Sequence, residues 1–312
     1  MIMNTIRTVV IGVGSLGQHH ARILSSHPRS ALAGVVDMDV KRREKIAGQY
    51  HVPSYGSVED IPGEVEAAVI AVPTPSHFAV ARGLLNAGVH CLVEKPFTST
   101  VEEADELIAL ARAKNLILQV GHVERFNPAV IAAKPFINKP KFIEVNRLGP
   151  YDPRTSHIGV VLDLMIHDLD IVLTMIKDKV VHLEAYGAKV LSNHEDIAKV
   201  RLKFACGCIA DLSASRISME KYRKIRIFQP DSYISVDYAG KSLKIYRKKT
   251  PIVTGLGDIE IVKPKLKDGE PLYHELDHFL SCITEGKVPA VSGEHGRDAL
   301  ELAQDILQKM EF

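Results

Sequence analysis

The pattern of hydrophobic and polar positions divides the chain into two parts at about residue 121. Before that point, short runs that are apolar throughout alternate with longer segments that mix apolar and charged positions as helices do. Five of the apolar runs have strand length: RTVVIG, ALAGVVD, EAAVIAV, VHCLVE and LILQVG. Apolar strands separated by helices indicate a parallel sheet that is covered on both faces. We therefore predict an α/β domain with a Rossmann-type parallel sheet over residues 1–121.

Beyond residue 121 the pattern changes twice. A mostly helical stretch is predicted to end at Ile176, and six segments with alternating apolar and polar positions follow it. Such alternation predicts a sheet with one buried and one more exposed face. Two helical segments, LYHELDHFLSCITEG and GRDALELAQDILQKM, close the chain. We therefore predict an α+β domain over residues 122–312, built on an open, largely antiparallel sheet whose exposed face is a candidate oligomer interface.

Composition and charge narrow the class of protein. The chain has 312 residues, is 46% hydrophobic and 25% charged, and carries a formal net charge of +1, as is ordinary for a globular protein. Nucleic-acid binding usually shows as a basic excess, so this balance gives it no support. The short basic runs KYRK (221–224) and YRKK (246–249) are interpreted as solvated strand ends, although a single phosphate-bearing ligand could use one of them.

Metal, secretion and membrane signals are weak in this sequence. Cys206 and Cys208 form C-x-C, but no second pair at zinc spacing accompanies them, so no metal is expected. The N-terminal segment lacks the charged and long apolar regions of a signal peptide. The longest near-apolar stretch, Val160–Ile176, contains four titratable groups, which argues against a membrane span. We expect a cytoplasmic protein without membrane association.

The segment GVGSLG, from Gly12 to Gly17, follows an apolar strand and opens a helix. This is the context of the dinucleotide-binding fingerprint: Gly12 permits a tight turn, Gly14 lets the backbone approach a pyrophosphate, and Gly17 lets helix and strand pack closely. Asp37 ends the next strand, where a carboxylate accepts from a ribose hydroxyl and repels a 2′-phosphate. We therefore predict NAD rather than NADP, although the two arginines of KRRE could contact a phosphate.

The apolar segment VVLDLMIHDLDIVLTMI carries four titratable groups, although burying an unpaired charge is costly. On a helix, Asp163, His167 and Asp170 form one polar stripe, whereas Asp168 points away and is expected to make a structural contact. A stripe of Asp, His and Asp among apolar residues is a candidate site for proton transfer. The alternative is a buried histidine that a neighbouring aspartate satisfies, and the helix alone does not decide between the two.

A second segment favours catalysis over that alternative. Glu94, Lys95 and Pro96 follow the strand VHCLV, at the carboxyl edge of the parallel sheet, where open α/β sheets bind their ligands. Pro96 disfavours the α region for Lys95 and so restrains its backbone. Lys95 is therefore placed to meet the cofactor.

Four motifs, taken in order, resemble one known family: GVGSLGQHHARIL, Asp37, GVHCLVEKPFTSTVEEADEL and LDLMIHDLDI. The chain is similar over essentially its whole length to the glucose-fructose oxidoreductase, inositol dehydrogenase and rhizopine catabolism (Gfo/Idh/MocA) family. The resemblance implies that Lys95, Asp163 and His167 are catalytic, and that the chain forms homodimers or homotetramers through its second sheet. The family often has glycine two residues before the histidine, where this chain has Met165.

The segments GHVERFNPAV and VVLDLMIHDLDIV resemble, more specifically, the bacterial subgroup that oxidises UDP-N-acetylglucosamine at C3 for lipid A synthesis. Our first hypothesis is therefore NAD-dependent oxidation of that 3-hydroxyl to a ketone. The alternative keeps the enzyme class and takes a free polyol or monosaccharide such as inositol as substrate. A third hypothesis is a cofactor-binding regulator without turnover, since fold alone does not fix function. The presence of Lys95, Asp163 and His167 argues against the regulator.

Oxidation of a secondary alcohol requires loss of a hydride to the nicotinamide and loss of the hydroxyl proton. His167 is the candidate general base, because the unperturbed pKa of histidine lies near neutrality. Lys95, as a cation, can hold the hydroxyl and stabilise charge that develops on its oxygen. Asp163 either orients His167 or accepts from a neighbouring sugar hydroxyl. Whether Lys95 or His167 takes the proton first stays open.

Other residues are predicted to contact the ligands. The predicted cofactor contacts are Gly12, Gly14, Ser15, Leu16, Gly17, Asp37, Thr74, His77, Glu94 and Lys95. The predicted substrate contacts are Arg125, Asn127, Arg154, Asp163 and His167, with Arg216 as a weaker candidate. Arg125 could bind a diphosphate bidentately, and an interdomain salt bridge is the alternative. For His77, a capping or packing role is an equally good interpretation.

Overall fold

A computed structural model describes residues 5–312, apart from the side chain of Arg154. The chain forms two compact units. The first runs to Val123 and also contains Glu270–Leu300, whereas the second comprises Glu124–Gly269 and Glu301–Phe312. This division differs from the predicted domains, which assigned everything after residue 121 to the second.

The first unit contains a six-stranded sheet in which all neighbouring strands are parallel. The strands are β1 (Ile6–Ile11), β2 (Ser30–Val36), β3 (Ser54–Tyr55), β4 (Ala67–Ile70), β5 (His90–Glu94) and β6 (Leu118–Gly121). Their order is β3-β2-β1-β4-β5-β6, so the chain turns back between β1 and β4. Ligands of doubly wound sheets bind at the carboxyl ends of the strands beside such a point.

The second unit contains an eight-stranded sheet. Its strands are β7 (Phe142–Leu148), β8 (Val180–Ala188), β9 (Ile197–Phe204), β10 (Ile209–Ser215), β11 (Tyr222–Phe228), β12 (Ser232–Asp237), β13 (Ser242–Lys248) and β14 (Ile259–Val262). The order is β14-β13-β12-β11-β7-β10-β9-β8, with only the β7–β10 pair parallel among these strands. The predicted fold class, a Rossmann sheet followed by an open, largely antiparallel sheet, is confirmed.

β7 is the main element that the sequence analysis did not predict. It lies in the predicted helical stretch, yet it occupies the middle of the second sheet, between β10 and β11. Its side chains alternate regularly: Ile143, Val145 and Arg147 are buried, while Glu144 and Asn146 are partly exposed. The period of two is therefore present in the sequence, although the strand is isolated in the chain from the other strands of its sheet.

Eight α-helices complete the described part of the chain: α1 (Gly17–Ser26), α2 (Val40–Tyr50), α3 (His77–Asn86), α4 (Val101–Ala113), α5 (Pro128–Ala133), α6 (Ile166–Ile176), α7 (Pro271–Glu285) and α8 (Gly293–Lys309). The helix α7 accounts for the difference between this division and the predicted domains. It buries Leu276, Phe279 and Leu280 in the same core cluster as Leu24 of α1 and Val69 of β4. Apolar burial, rather than position in the chain, assigns α7 to the first unit.

Within residues 5–312, none of the helices is long and apolar enough to cross a membrane. Within the same residues, no cluster of three or more His, Cys, Asp or Glu side chains could hold a metal ion.

Candidate active site

The turn between β1 and α1 has the shape that a pyrophosphate-binding loop needs. Gly12 has a φ of +83°, and a Cβ there would lie 2.7 Å from the carbonyl oxygen of Ala71. A Cβ on Gly17 would lie 1.8 Å from the carbonyl oxygen of Gly12, so α1 starts directly against the turn. An added Cβ on Gly14 would meet only the Arg42 guanidinium, at 3.8 Å, among the described residues. The turn is closed where helix and strand pack and open where a phosphate would approach.

Asp37 lies beside this turn, directly after β2. Its carboxylate oxygens accept from the backbone N–H of Val13 at 3.0 Å and of Asp39 at 2.9 Å. Arg42 donates to the same carboxylate at 3.3 Å, and Arg43 donates to the backbone carbonyl of Asp37 at 3.1 Å. Both arginines that could have served a 2′-phosphate are therefore bound to Asp37. A carboxylate fixed in this position fits the ribose diol of NAD.

Glu94 ends β5 and holds the start of the loop that carries Lys95. One Glu94 carboxylate oxygen lies 2.7 Å from Nε2 of His20, and the other accepts from the backbone N–H of Lys95 at 3.2 Å. A Cβ on Gly121 would lie 2.7 Å from this buried carboxylate, so the missing side chain of Gly121 makes room for it. The Lys95–Pro96 peptide is cis, and the Lys95 side chain is half-buried. Glu94 thus fixes the backbone beside Lys95.

His77, the first residue of α3, contacts the same loop. Its Nδ1 lies 2.9 Å from the carbonyl oxygen of Pro96, and its Nε2 lies 2.8 Å from that of Val72. Burial lowers the pKa of His77, and the two carbonyl contacts oppose that shift. Both ring nitrogens are therefore engaged with the backbone. The packing role, which the sequence left open, accounts for these contacts, and the contact of His77 with the nicotinamide stays a prediction.

Three further predicted cofactor contacts lie on accessible surface of the first unit. Ser15 and Leu16 are exposed in the glycine-rich turn, immediately before α1. Thr74 is half-buried and starts a short 3₁₀ helix that follows β4. All three follow carboxyl ends of neighbouring parallel strands, where the fold places a ligand.

Asp163 and His167 lie in the second unit on a helix with an irregular first turn. Val161–Met165 form a π-helical turn, and α6 follows it directly. The regular α-helical spacing that we predicted between Asp163 and His167 is therefore wrong, since a π turn is wider; such turns often occur at functional sites. Both side chains are half-buried, whereas Asp168 and Asp170 are buried. The accessible candidates for proton transfer on this helix are thus Asp163 and His167.

Asp170, which the prediction placed in the polar stripe, forms an ion pair instead. Arg125 donates Nε and Nη2 to its two carboxylate oxygens at 2.7 and 3.1 Å, and both side chains are buried. This corrects the prediction that Arg125 binds a diphosphate, because its guanidinium fork is already occupied. It also corrects the interdomain alternative, since both residues belong to the second unit. A buried arginine requires such a counter-charge.

Two other residues predicted to contact the substrate also make contacts within the protein instead. Asn127 caps the start of α5 with its Oδ1 and donates Nδ2 to Glu124 at 3.2 Å, so its predicted substrate contact is corrected to a structural one. Arg216 is buried and donates to Asp196 at 2.7 Å. The side chain of Arg154 lies outside the described residues.

Asp163, one of the two accessible candidates for proton transfer, lines a cavity of about 360 Å³ in the second unit. Its charged lining also includes Lys221 and Arg223, which the sequence analysis interpreted as a solvated strand end. The alternation of β11 carried a signal for Arg223, because Arg223, Ile225 and Ile227 share one face of the strand and both isoleucines are buried. A basic run can therefore place one of its members on the inner face of a sheet.

A dinucleotide-binding turn, a carboxylate beside it and a lysine on the loop after β5 define the first unit as that of a nicotinamide-dependent oxidoreductase. Residues 6–122 match the family model described as oxidoreductase family, NAD-binding Rossmann fold, and residues 141–234 match the Gfo/Idh/MocA C-terminal domain. The chain belongs to the Gfo/Idh/MocA family of oxidoreductases, and its cofactor is NAD. The resemblance and the enzyme class predicted from the sequence are confirmed.

Individual relatives narrow the comparison. The chain is 37% identical over 301 residues to UDP-N-acetylglucosamine 3-dehydrogenase of Acidithiobacillus ferrooxidans, covering 96% of each protein. A solved structure of that enzyme superposes with a TM-score of 0.92 at 36% identity, covering 98% of both chains. The scyllo-inositol 2-dehydrogenase of Bacillus subtilis is 26% identical over 315 residues, covering 92% of this chain and 89% of the relative.

Proposed function

We propose that this chain oxidises the 3-hydroxyl of UDP-N-acetylglucosamine to a ketone, with NAD⁺ as the oxidant. One observation carries the proposal: the chain is 37% identical, over nearly its full length, to an enzyme with that activity. The inositol dehydrogenases are more distant, at 26% and 27% identity. A dehydrogenase of a free polyol is therefore the weaker hypothesis.

The residues of the first unit fit the cofactor that the family uses. The open backbone at Gly14 would receive the pyrophosphate, and the carboxylate of Asp37 would accept from a ribose hydroxyl. NAD⁺, when bound, supplies the two-electron oxidant for the carbinol carbon. The residues of the protein then have to position the sugar and handle the hydroxyl proton.

We propose that His167 accepts the proton of the sugar hydroxyl. An imidazole accepts a proton at neutral pH, and the half-buried position of His167 keeps it accessible to a sugar. The ammonium of Lys95 would stabilise the negative charge that develops on the sugar oxygen as the proton leaves. Asp163 would orient His167 or accept from a neighbouring hydroxyl, which favours one sugar orientation.

The setting of the reaction is part of the proposal. We propose a cytoplasmic enzyme that supplies a keto sugar for lipid A synthesis, as the sequence resemblance implies. The family resemblance supports a homodimer or homotetramer formed through the exposed face of the second sheet. Light scattering of the purified protein would measure the oligomeric state.

The direct test is NADH formation by the purified protein with NAD⁺ and one of four candidate substrates. UDP-N-acetylglucosamine, UDP-glucose, free N-acetylglucosamine and myo-inositol should be compared at equal concentration. We expect NADH formation with UDP-N-acetylglucosamine, and product analysis should locate the ketone at C3. Turnover of myo-inositol or the free sugar, without turnover of the nucleotide sugar, would contradict the proposal.

Lys95→Ala separates an enzyme from a cofactor-binding regulator. Loss of the cation should lower kcat by about 10²- to 10³-fold, because a group that stabilises developing charge contributes on that order. Calorimetric titration with NAD⁺ should show binding within about threefold of the wild type, since the glycine-rich turn and Asp37 are unchanged. Lys114→Ala is the matched control, as this lysine is exposed and donates to the carbonyl oxygen of Asn86 in the same unit. Equal turnover of both variants would exclude the role of Lys95.

A further inference from the structure

Arg223 differs from three arginines of the second unit that are buried, Arg125, Arg147 and Arg216. Those three each donate to a buried aspartate at 2.7 Å, in the pairs Arg125–Asp170, Arg147–Asp168 and Arg216–Asp196. The Arg223 side chain is half-buried, yet it forms no hydrogen bond or ion pair with any residue that the structure describes. A desolvated guanidinium without a carboxylate partner retains its full capacity to bind an anion.

The neighbouring strand shows what Arg223 lacks. Arg147 of β7 and Arg223 of β11 are directly opposite each other in the sheet. For Arg147, burial disfavours the charge, but attraction to Asp168 and the hydrogen bonds that Arg147 donates to it outweigh burial and raise the pKa. For Arg223, burial and repulsion by Arg147 lower the pKa, against weaker attraction to the carboxylates of Glu124, Asp168 and Asp163. An anion that bound Arg223 would relieve both penalties.

The cavity around Arg223 also contains a predicted active-site residue. Arg223 and Asp163 line the same space of about 360 Å³, together with Lys221 and the loop that contains Tyr151. Lys221 is exposed, has no ion pair in the described part of the chain, and brings a second positive charge to this cavity. A ligand that occupies it can therefore contact Asp163 at one part and the cations at another.

We propose that Arg223, assisted by Lys221, binds the diphosphate of the nucleotide-sugar substrate, an inference that rests on the proposed function. A planar guanidinium can form two parallel hydrogen bonds to phosphate oxygens, whereas Lys221 acts as a point charge. A free polyol has no anionic group for this pair of cations. Arg223 is thus the residue that selects a nucleotide sugar over a neutral sugar, a role that the sequence analysis gave to Arg125.

Calorimetric titration of the NADH-bound protein tests this assignment directly. UDP-N-acetylglucosamine and UDP serve as the two probes, with wild type, Arg223→Ala and Arg201→Ala compared under one buffer. Loss of a charged hydrogen-bonding group should weaken binding of both probes to Arg223→Ala by about 10- to 100-fold. Arg201 is the matched control, because it lies in the same sheet but is exposed and bound bidentately by Asp211. Arg201→Ala should bind both probes as the wild type does.

Kinetics distinguish substrate binding from a structural role. Arg223→Ala should raise KM for UDP-N-acetylglucosamine by a similar factor and change kcat by less than about threefold, because the diphosphate is remote from the reacting hydroxyl. Arg223→Lys should recover part of the affinity, since it restores charge without the guanidinium fork. Lys221→Ala should weaken binding by only a few-fold, as this lysine is exposed.

The outcomes separate this inference from the proposed function. If the wild type neither binds nor oxidises UDP-N-acetylglucosamine, the proposed function fails and this inference fails with it. If the wild type binds the nucleotide sugar and Arg223→Ala and Arg223→Lys bind it equally well, the function stands and the assignment of Arg223 is overturned. A drop in kcat with unchanged KM would also overturn it.

Discussion

The two units of this enzyme bury their charged groups in different ways. In the second unit, buried arginines meet buried aspartates at hydrogen-bonding distance, and Glu124 adds a further contact to Arg147 at 2.9 Å. Each of these buried arginines and aspartates has a partner of opposite sign. Such pairs are costly to break, because the remaining charge would be left buried and unpaired.

In the first unit, the buried titratable groups do not form such arginine–aspartate pairs. Glu94 contacts His20 at 2.7 Å, and His77 contacts two backbone carbonyls. Glu275 of α7 is fully buried, and neither of its carboxylate oxygens has a hydrogen-bond partner within residues 5–312. Burial, together with the negative charge of Glu94, raises the pKa of Glu275 well above its usual value. Glu275 is therefore held as a neutral acid.

The comparison indicates how a charged side chain that binds a ligand can be recognised. An arginine that already has a bidentate carboxylate, such as Arg125, contributes to the fold and has little capacity left for a substrate. A desolvated charge without a partner, such as Arg223, lowers the stability of the free protein. Such a group is a candidate for binding a ligand of opposite charge. Burial alone does not distinguish a structural arginine from a ligand-binding one, whereas the presence or absence of a carboxylate partner does.

The largest expected effect comes from breaking a pair in the second unit. Asp168→Ala leaves the buried Arg147 with only Glu124, which contacts one guanidinium nitrogen. We expect a loss of about 3–5 kcal/mol in the free energy of unfolding, the usual consequence of an uncompensated buried charge. Urea denaturation followed by far-UV circular dichroism would measure it. A loss below about 1 kcal/mol would show that the pairs do not stabilise this unit as we argue.

Replacing the buried acid of the first unit, Glu275, by glutamine should instead stabilise the protein at high pH. Glu275 has a usual pKa of 4.5 and a raised pKa when folded, so above pH 4.5 the unfolded chain releases a proton that the folded chain retains. Stability should therefore fall by about 1.4 kcal/mol per pH unit from there up to the folded pKa. Glu275→Gln removes this slope, and its Tm relative to the wild type should rise as the pH is raised from 5 to 8.

The control for this prediction is Glu285→Gln, at the exposed end of the same helix. Glu285 is paired with Lys287, which lowers its pKa, so its substitution should give no gain in Tm with rising pH. The charge of Glu94 acts on Glu275, and His20 contacts Glu94. If Glu275→Gln lowered Tm equally at pH 5 and pH 8, Glu275 would not be the neutral acid that we infer.

Much of the first unit could be predicted because its signals are local. The apolar runs, the glycine-rich turn and Asp37 all lie close together in the sequence, and each motif fixes its own geometry. The position of α7 could not be predicted in this way, because its helical pattern shows which face is apolar but not which core receives it. That depends on packing between segments more than 200 residues apart, such as Leu24 and Phe279, whose numbers differ by 255.

The second unit was harder to predict from the sequence, because its contacts also join residues far apart in the chain. Asp170 and Arg125 are 45 residues apart, so a polar stripe on one helix gave no sign that one of its members is bound elsewhere. The π turn at Val161–Met165 was also hidden, because one wider turn hardly changes the pattern of apolar positions. Arg223 could have been found, since its place in line with two buried isoleucines is visible in the sequence.

The smallest expected effect comes from a pair with the same geometry but a different environment. Arg201 donates to both oxygens of Asp211 at 2.7 Å, and Arg147 donates to those of Asp168 at 2.7 and 2.8 Å. The first pair is largely exposed and the second is buried. Asp211→Ala leaves an arginine that water can solvate, so it should shift the urea midpoint by less than about a fifth of the Asp168→Ala shift.

This comparison isolates burial from geometry. If Asp211→Ala destabilised the protein as much as Asp168→Ala, the bidentate contact itself would hold the second sheet together, and the free fork of Arg223 would reflect only its position. If the two effects differ as expected, the cost lies in leaving a desolvated guanidinium without a partner. Arg223 is in that state in the free protein, and the same measurement in the presence of UDP should then show a ligand-dependent gain in stability.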